Sequence, residues 1–273
     1  MKTLALSLGG GGARGLAHIA AIEALDEMGV RPVALSGTSI GALFAAAYAA
    51  GMSGKAIHRY VVSLSKKRTE VIKRLIAARA RVLPHLFTGF RTATLIDAEK
   101  FCAKFLPDEI PKNFEDLAIP LTVVASDLYG RREVVFNSGP LWPALAASIA
   151  SPGLMRPVRI NGRIMVDGGA TNPLPFEHLR GRADIVAAVD ISGAPSEQRT
   201  ELPSPWECVY MSVLVMGHAV TTEKLKRTQP DLLIQPRVGL FHVLDFYRAN
   251  AILRAAEPVK TDIENRLRSL LTA

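Results

Sequence analysis

Two glycine-rich stretches near the N terminus constrain this chain more than any other feature. Gly9-Gly10-Gly11-Gly12-Ala13-Arg14-Gly15 follows the apolar run Thr3–Leu8, and Gly37-Thr38-Ser39-Ile40-Gly41 comes after 21 further residues. The first reads as a loop of exposed backbone N–H groups at a helix N terminus, a setting suited to an anion. The second reads as a sharp strand-to-helix turn that lifts Ser39 out of a sheet. Gly37 and Gly41 flank the serine because its strained backbone leaves no room for side chains two residues away. A nucleophile beside an anion hole points to acyl transfer.

Around these motifs the chain alternates between strand and helix patterns. Strands are expected at Thr3–Leu8, Val33–Leu35, Leu121–Ser126, Glu133–Phe136, Asp184–Val189 and Asp231–Gln235. Helical spacing runs over Ala13–Met28, Ile40–Ala50, Leu141–Ala150, Trp206–Arg227 and Leu244–Leu271. Gly29 and Gly51 supply C-terminal stops. Val158–Ile160, Asn161-Gly162 and Arg163–Val166 form a hairpin pattern, since Asn-Gly suits a type I′ turn. Residues 53–118 are mostly helical by pattern and read as an inserted helical cap. Short loops between alternating elements imply one α/β domain over 1–273, three-layered, with a mainly parallel sheet and helices on both faces.

Composition narrows the class. The chain is 49% hydrophobic and 21% charged, enough for a sizeable core, and its net charge of +8 favours acidic partners such as anionic membrane. Cys102 and Cys208 belong to no CxxC pair and read as buried free thiols in a reducing compartment. No charge occurs from Pro32 to Gly54, but the glycines, serines and turn inside that run fit a buried strand and helix better than a membrane span. The apolar stretch before the glycines is too short for a signal-peptide core. A soluble cytoplasmic protein is the expectation, with peripheral contact with the inner face of a membrane as an open alternative.

Both motifs have rivals. Gly10-x-Gly12-x-x-Gly15 formally matches a dinucleotide fingerprint, yet the second strand ends in Leu35-Ser36-Gly37, without the acid that holds ribose hydroxyls. Ser39 could instead be a plain N-cap for the helix that follows. As a nucleophile it needs a base. None of His18, His58, His85, His178, His218 and His242 sits in a context that singles it out. The better candidate is Asp167, at the end of an apolar strand and before Gly168 and Gly169. An Asp-Gly turn is the alternative reading of the same residues.

With these residues in place the chain resembles the bacterial patatin-like phospholipases. The resemblance rests on the glycine loop, the Ser39 elbow and Asp167-Gly168-Gly169. Leu16-Ala17-His18-Ile19, Ala125-Ser126-Asp127, Ala147-Ser148-Ile149-Ala150-Ser151-Pro152 and Asn172-Pro173-Leu174-Pro175 support it. It covers roughly residues 4–190 and implies a patatin-like three-layer fold and a lipid acyl hydrolase. It further implies a Ser39/Asp167 dyad without histidine, and oxyanion N–H groups from Gly11 and Gly12. Ile40, the residue after the nucleophile, is a candidate third oxyanion donor. Gly10, Arg14, Gly15, Gly37, Gly41, Gly168 and Gly169 then support the motifs, and Arg14 braces the loop, meets a phosphate headgroup or makes a plain salt bridge. Neither a cofactor nor a metal is expected.

Residues 55–91 hold ten Lys or Arg and one acid, Glu70. Val71, Ile72, Leu75 and Ile76 make an apolar stripe with Lys73, Arg74 and Arg81 off it. That pattern suits an interfacial helix on anionic lipid, and equally a solvated cap helix. Nucleic acid fits less well, because aromatic residues hardly interleave the basic ones. The expected activity is hydrolysis of lipid carboxylic esters, of phospholipase A or lysophospholipase type. A soluble carboxylesterase or acyltransferase on the same dyad, or a non-catalytic nucleotide- or lipid-binding module, is the alternative.

Overall fold

A computed structural model of the protein describes residues 2–67, 96–192, 202 and 205–272. The apolar runs become strands β1 (Leu4–Leu8), β2 (Ala34–Thr38), β3 (Leu121–Asp127), β4 (Arg132–Phe136), β5 (Val158–Ile160), β6 (Arg163–Asp167), β7 (Ile185–Val189) and β8 (Leu232–Ile234). They form one sheet in the order β5-β6-β3-β2-β1-β7-β8, with β4 also paired to β3. The pairs β1–β2, β1–β7, β2–β3 and β7–β8 are parallel, while β4, β5 and β6 join antiparallel. The β5–β6 hairpin turns at Asn161 and Gly162, both at positive φ, as the type I′ reading requires.

Helices are α1 (His18–Glu27), α2 (Ile40–Ala49), α3 (Gly54–Lys67), α4 (Ala98–Phe105), α5 (Leu141–Ser148), α6 (Pro205–Arg227), α7 (Ala249–Ala256) and α8 (Pro258–Thr272). On one face Leu4, Leu6, Leu8, Leu35 and Val123 share a core with α1, α2 and α5. Ala42, Ala45, Ala46 and Ala49 are fully buried there, so an alanine-rich helix lies close on the sheet. The other face is covered more thinly. Leu174, Phe176 and Leu179 pack on Ala5, Ala34, Val186 and Ala188, joined by Leu225 from the end of α6. Burying Phe176 completely contributes roughly 1.5–3 kcal/mol.

Several boundaries differ from the sequence pattern. Ala13–Met28 is not one helix: Gly12–Ala17 is a 3₁₀ turn and α1 starts at His18. The C-terminal pattern is also divided, because Pro258 starts α8 and cannot supply the N–H that would continue α7. Cys102 is buried, but Cys208 is exposed, since its side of α6 has nothing packed over it among the described residues. Of the basic stretch 55–91, residues 55–67 lie in α3, and the stripe from Val71 to Ile76 falls outside the described residues. Among the described residues no helix is long and apolar enough to cross a membrane.

Candidate active site

The centre of the site is a junction on one edge of β3. Val124 pairs with Thr38 at the end of β2, and the next residue, Ala125, pairs with Asp167 at the end of β6. Both also pair with β4 on the other edge. The parallel β2 and the antiparallel β6 therefore meet end to end along β3. Ser39 follows Thr38 directly, so its hydroxyl donates to Asp167 Oδ2 at 2.7 Å. The junction needs glycine next: a Cβ on Gly168 would lie 2.3 Å from the Val124 carbonyl oxygen.

Ser39 has φ 55° and ψ −128°, a strained conformation for a residue with a Cβ. Close packing enforces it. A Cβ on Gly41 would sit 2.1 Å from the Leu8 carbonyl oxygen, and one on Gly37 2.7 Å from the backbone of Ala42. Ser39 occupies the N-cap position of α2, but its side chain makes no cap bond and turns to Asp167 instead. Three neighbouring hydroxyls hold the junction. Ser148 Oγ accepts from Ser39 N–H at 2.8 Å and donates to the Val124 carbonyl. Ser126 Oγ donates to the Asp167 carbonyl at 2.9 Å, and Thr38 Oγ1 to that of Asn172 at 2.8 Å. Thr38, Ser126 and Ser148 all lie inside the sequence motifs, but nothing local in those motifs signals their roles.

The glycine loop lies against this elbow, with Gly10 close enough that a Cβ would be 3.3 Å from Ser39 Cβ. Its start is fixed from three sides. Gly9 N–H donates to Val189, Gly10 N–H to Pro173, and the Gly9 carbonyl bonds His18 Nε2 at 2.8 Å. Burial pushes the His18 imidazole down to about 4, against the opposing pull of that bond. The ring is therefore neutral and donates through Nε2–H. Beyond Gly10 the loop opens: the N–H groups of Gly11 and Gly12 find no acceptor among the described residues, nor does that of Ile40. Gly12 has φ 58°, and a Cβ there would lie 2.2 Å from the Val243 carbonyl oxygen. Gly15 meets Ile40, where a Cβ would come within 2.5 Å of its side chain. Arg14 bonds the carbonyls of Phe241, Ser192 and Gly239, which ties the loop to the two segments beside it.

Asp167 is 9% exposed, and burial pushes its carboxyl up to about 6. Hydrogen bonds from Gly169 N–H and the Ser39 hydroxyl pull the other way. The Gly169 bond, 2.8 Å to Oδ1, makes Asp167 the cap of a short 3₁₀ turn, so the Asp-Gly turn is also present. Behind that turn Asn172 donates to Glu133 and Glu177, Lys224 bonds Glu177 and Asn172, and His178 bonds Glu133 at 2.6 Å. Glu133, Glu177 and His178 are close enough to surround a cation. Their oxygens already accept from Asn172, Lys224 and His178, and this network pins the segment that carries Gly168 and Gly169.

Ser39 and Asp167 open into a groove walled by Gly11, Gly12, Leu154, Leu214, His218 and Val243. An apolar pocket between α2, α3 and α4 adjoins the groove. Ile40, Leu43, Phe101 and Phe246 line both, and Ala47 and Met52 line only the pocket.

The sequence of this chain matches a known family. The family described as patatin-like phospholipase matches residues 6–180, a span that holds the glycine loop, the elbow and Asp167. The chain belongs to the patatin-like phospholipase family. Among its relatives, an uncharacterized NTE family protein of Mycobacterium tuberculosis is 37% identical over 192 residues, 70% of this chain and 49% of the relative. The human patatin-like phospholipase domain-containing protein 6 is 32% identical over 204 residues, 74% of this chain and 14% of that protein. The chain thus spans about half the length of the mycobacterial relative. A solved structure of human GIVD cytosolic phospholipase A2 bound to methyl gamma-linolenyl fluorophosphonate superposes with a TM-score of 0.49 at 14% identity, over 99% of this chain and 59% of that one.

Proposed function

We propose that the protein is a serine hydrolase of lipid carboxylic esters, of phospholipase A or lysophospholipase type. The observation that carries this reading is the 2.7 Å bond from Ser39 Oγ to Asp167 Oδ2, in a groove that shares Ile40, Leu43, Phe101 and Phe246 with a neighbouring apolar pocket. Ser39 Oγ attacks the ester carbonyl carbon while its proton passes to Asp167 Oδ2. A carboxyl at about 6 is mostly ionised at neutral pH, yet basic enough to hold that proton. The oxyanion is met by the N–H groups of Gly11 and Gly12, with Ile40 as a third donor. As the tetrahedral species collapses, the C–O bond to the alcohol breaks and Asp167 returns the proton to the leaving oxygen. Water then attacks the acyl-Ser39 ester, Asp167 taking and returning one proton, and a fatty acid leaves.

The test is covalent. A fluorophosphonate should label the folded protein at Ser39, located by peptide mass spectrometry. A folded protein that takes no label would be a binding module only.

The apolar pocket is the place for the acyl chain. Ala47→Leu puts three more carbons into it, and one methylene in such a pocket is worth about 1–3 kcal/mol. The variant should lose roughly tenfold or more in kcat/KM on esters of long acyl chains. Turnover of a butyrate ester should stay close to the parent. Equal losses on both would mean that acyl chains lie elsewhere.

A further inference from the structure

Helix α6 has two unlike faces. Inward, Val213, Leu214 and Gly217 line the Ser39 groove, and Thr221 is buried. Outward, Met211, Val215, Met216 and Val220 are 36%, 65%, 58% and 37% exposed. From Cys208 to Thr222, about 21 Å of helix, there is no Asp, Glu, Lys or Arg. A helix on the surface of a water-soluble protein ordinarily carries its charges on this side. A second segment that lines the groove repeats the pattern. Val243, Leu244 and Phe246 line the groove, while their neighbours Leu240 and Tyr247 are 77% and 59% exposed.

The apolar side chains therefore flank the mouth of the groove rather than lying scattered over the surface. Whatever covers them must leave the mouth able to take substrate. A second copy of the chain seated across both lips would close it. A lipid surface covers the lips and delivers ester to the groove in one contact. We propose that the outward face of α6 and the lip at Leu240 and Tyr247 form a docking rim that inserts into a lipid surface and opens the Ser39 groove onto it. The proposal rests on the lipid-hydrolase reading of the groove. It is separate from the basic stretch 55–91: a rim of uncharged side chains binds by apolar burial, which salt does not screen, whereas lysines and arginines on anionic lipid are screened.

The experiment uses the full chain and the triple variant Val215→Ser/Met216→Ser/Leu240→Ser. Sedimentation with vesicles of phosphatidylcholine alone, and of phosphatidylcholine with phosphatidylserine, is read at low and high salt. Butyrate-ester turnover and size-exclusion elution are read in parallel. The parent should bind neutral vesicles with little dependence on salt. The triple variant should bind them on the order of tenfold or more weakly, because three inserting side chains are lost. Its butyrate turnover should stay within about twofold of the parent, since none of the three lines the groove. Unchanged vesicle binding by the variant overturns the proposal. So does binding that needs phosphatidylserine and vanishes in salt, or a dimer that only the parent forms. A parent that binds through the rim but takes no fluorophosphonate at Ser39 would overturn the hydrolase reading and leave the docking rim standing.

Discussion

Ser39→Ala is expected to lower ester hydrolysis by on the order of 10³-fold or more, with the fold intact and fluorophosphonate labelling abolished. The hydroxyl packs against little, and it is bonded to Asp167 Oδ2. Removing it leaves no atom to carry the acyl group. The backbone supplies a second arm. Ser39 sits at φ 55°, ψ −128°, and alanine keeps the Cβ that makes this costly. Ser39→Gly removes it, so the glycine variant should be equally inactive but more stable than the alanine variant, by roughly 1–3 kcal/mol in urea unfolding. Substantial residual turnover in a folded Ser39→Ala protein would remove Ser39 from the role of nucleophile.

The elbow is legible in the sequence because its pattern is local. Gly37, Ser39 and Gly41 lie within five residues; the clash that requires Gly37 comes from Ala42 in the helix just after it, whereas the one that requires Gly41 comes from the Leu8 carbonyl at the end of β1. Asp167 is different. From its own neighbours it is an Asp-Gly turn, and it is one in the structure, capping Gly169. What makes it a partner for Ser39 is the register of β6 on β3, which places Ala125 opposite Asp167 one residue after Val124 meets Thr38. Sequence pattern predicts that β3 and β6 exist, not which residues pair. The resemblance to a family supplies that link.

The residues that steady the junction are hidden for the same reason. Ser126, Ser148 and Asn172 act across 41, 109 and 134 residues of chain, through bonds that no local pattern signals. His18 has no distinguishing context in the sequence, because its acceptor is the Gly9 carbonyl of a loop whose path the sequence does not give. The exposed side of α6 misleads in the other direction. Apolar residues at Met211, Val215 and Val220 suggest a buried helix, and with it a core position for Cys208. The fold instead leaves them partly exposed beside the groove, with nothing packed fully over them among the described residues.

Asp167→Asn should abolish catalysis and at the same time stabilise the protein. The amide is isosteric with the carboxylate. Its oxygen can keep the bond from Gly169 N–H, and its NH₂ can donate to Ser39 Oγ, but it cannot take a proton. Base and nucleophile act as a unit, so hydrolysis should fall by on the order of 10³-fold or more. In the parent, activity should rise with pH through about 6 and then level off, as Asp167 ionises. The stability effect has the opposite sign. A carboxyl raised from 3.8 to about 6 on folding favours the protonated form in the folded state. That contribution is complete below 3.8 and disappears as pH rises through about 6. At neutral pH the ionised Asp167 therefore costs up to about 3 kcal/mol, at roughly 1.4 kcal/mol for each pH unit between the unfolded and folded values. The neutral asparagine avoids this, so the variant should melt higher than the parent at about pH 8, and the difference should shrink as pH falls toward about 4. His218→Ala is the control, because His218 also lines the groove. It should leave most of the activity, whereas a loss as deep as that of Asp167→Asn would make histidine the base. An asparagine variant both inactive and less stable than the parent in mild alkali would mean that Asp167 is held as a structural anion, and that the strain at Ser39 and the burial at Asp167 are not directed to chemistry.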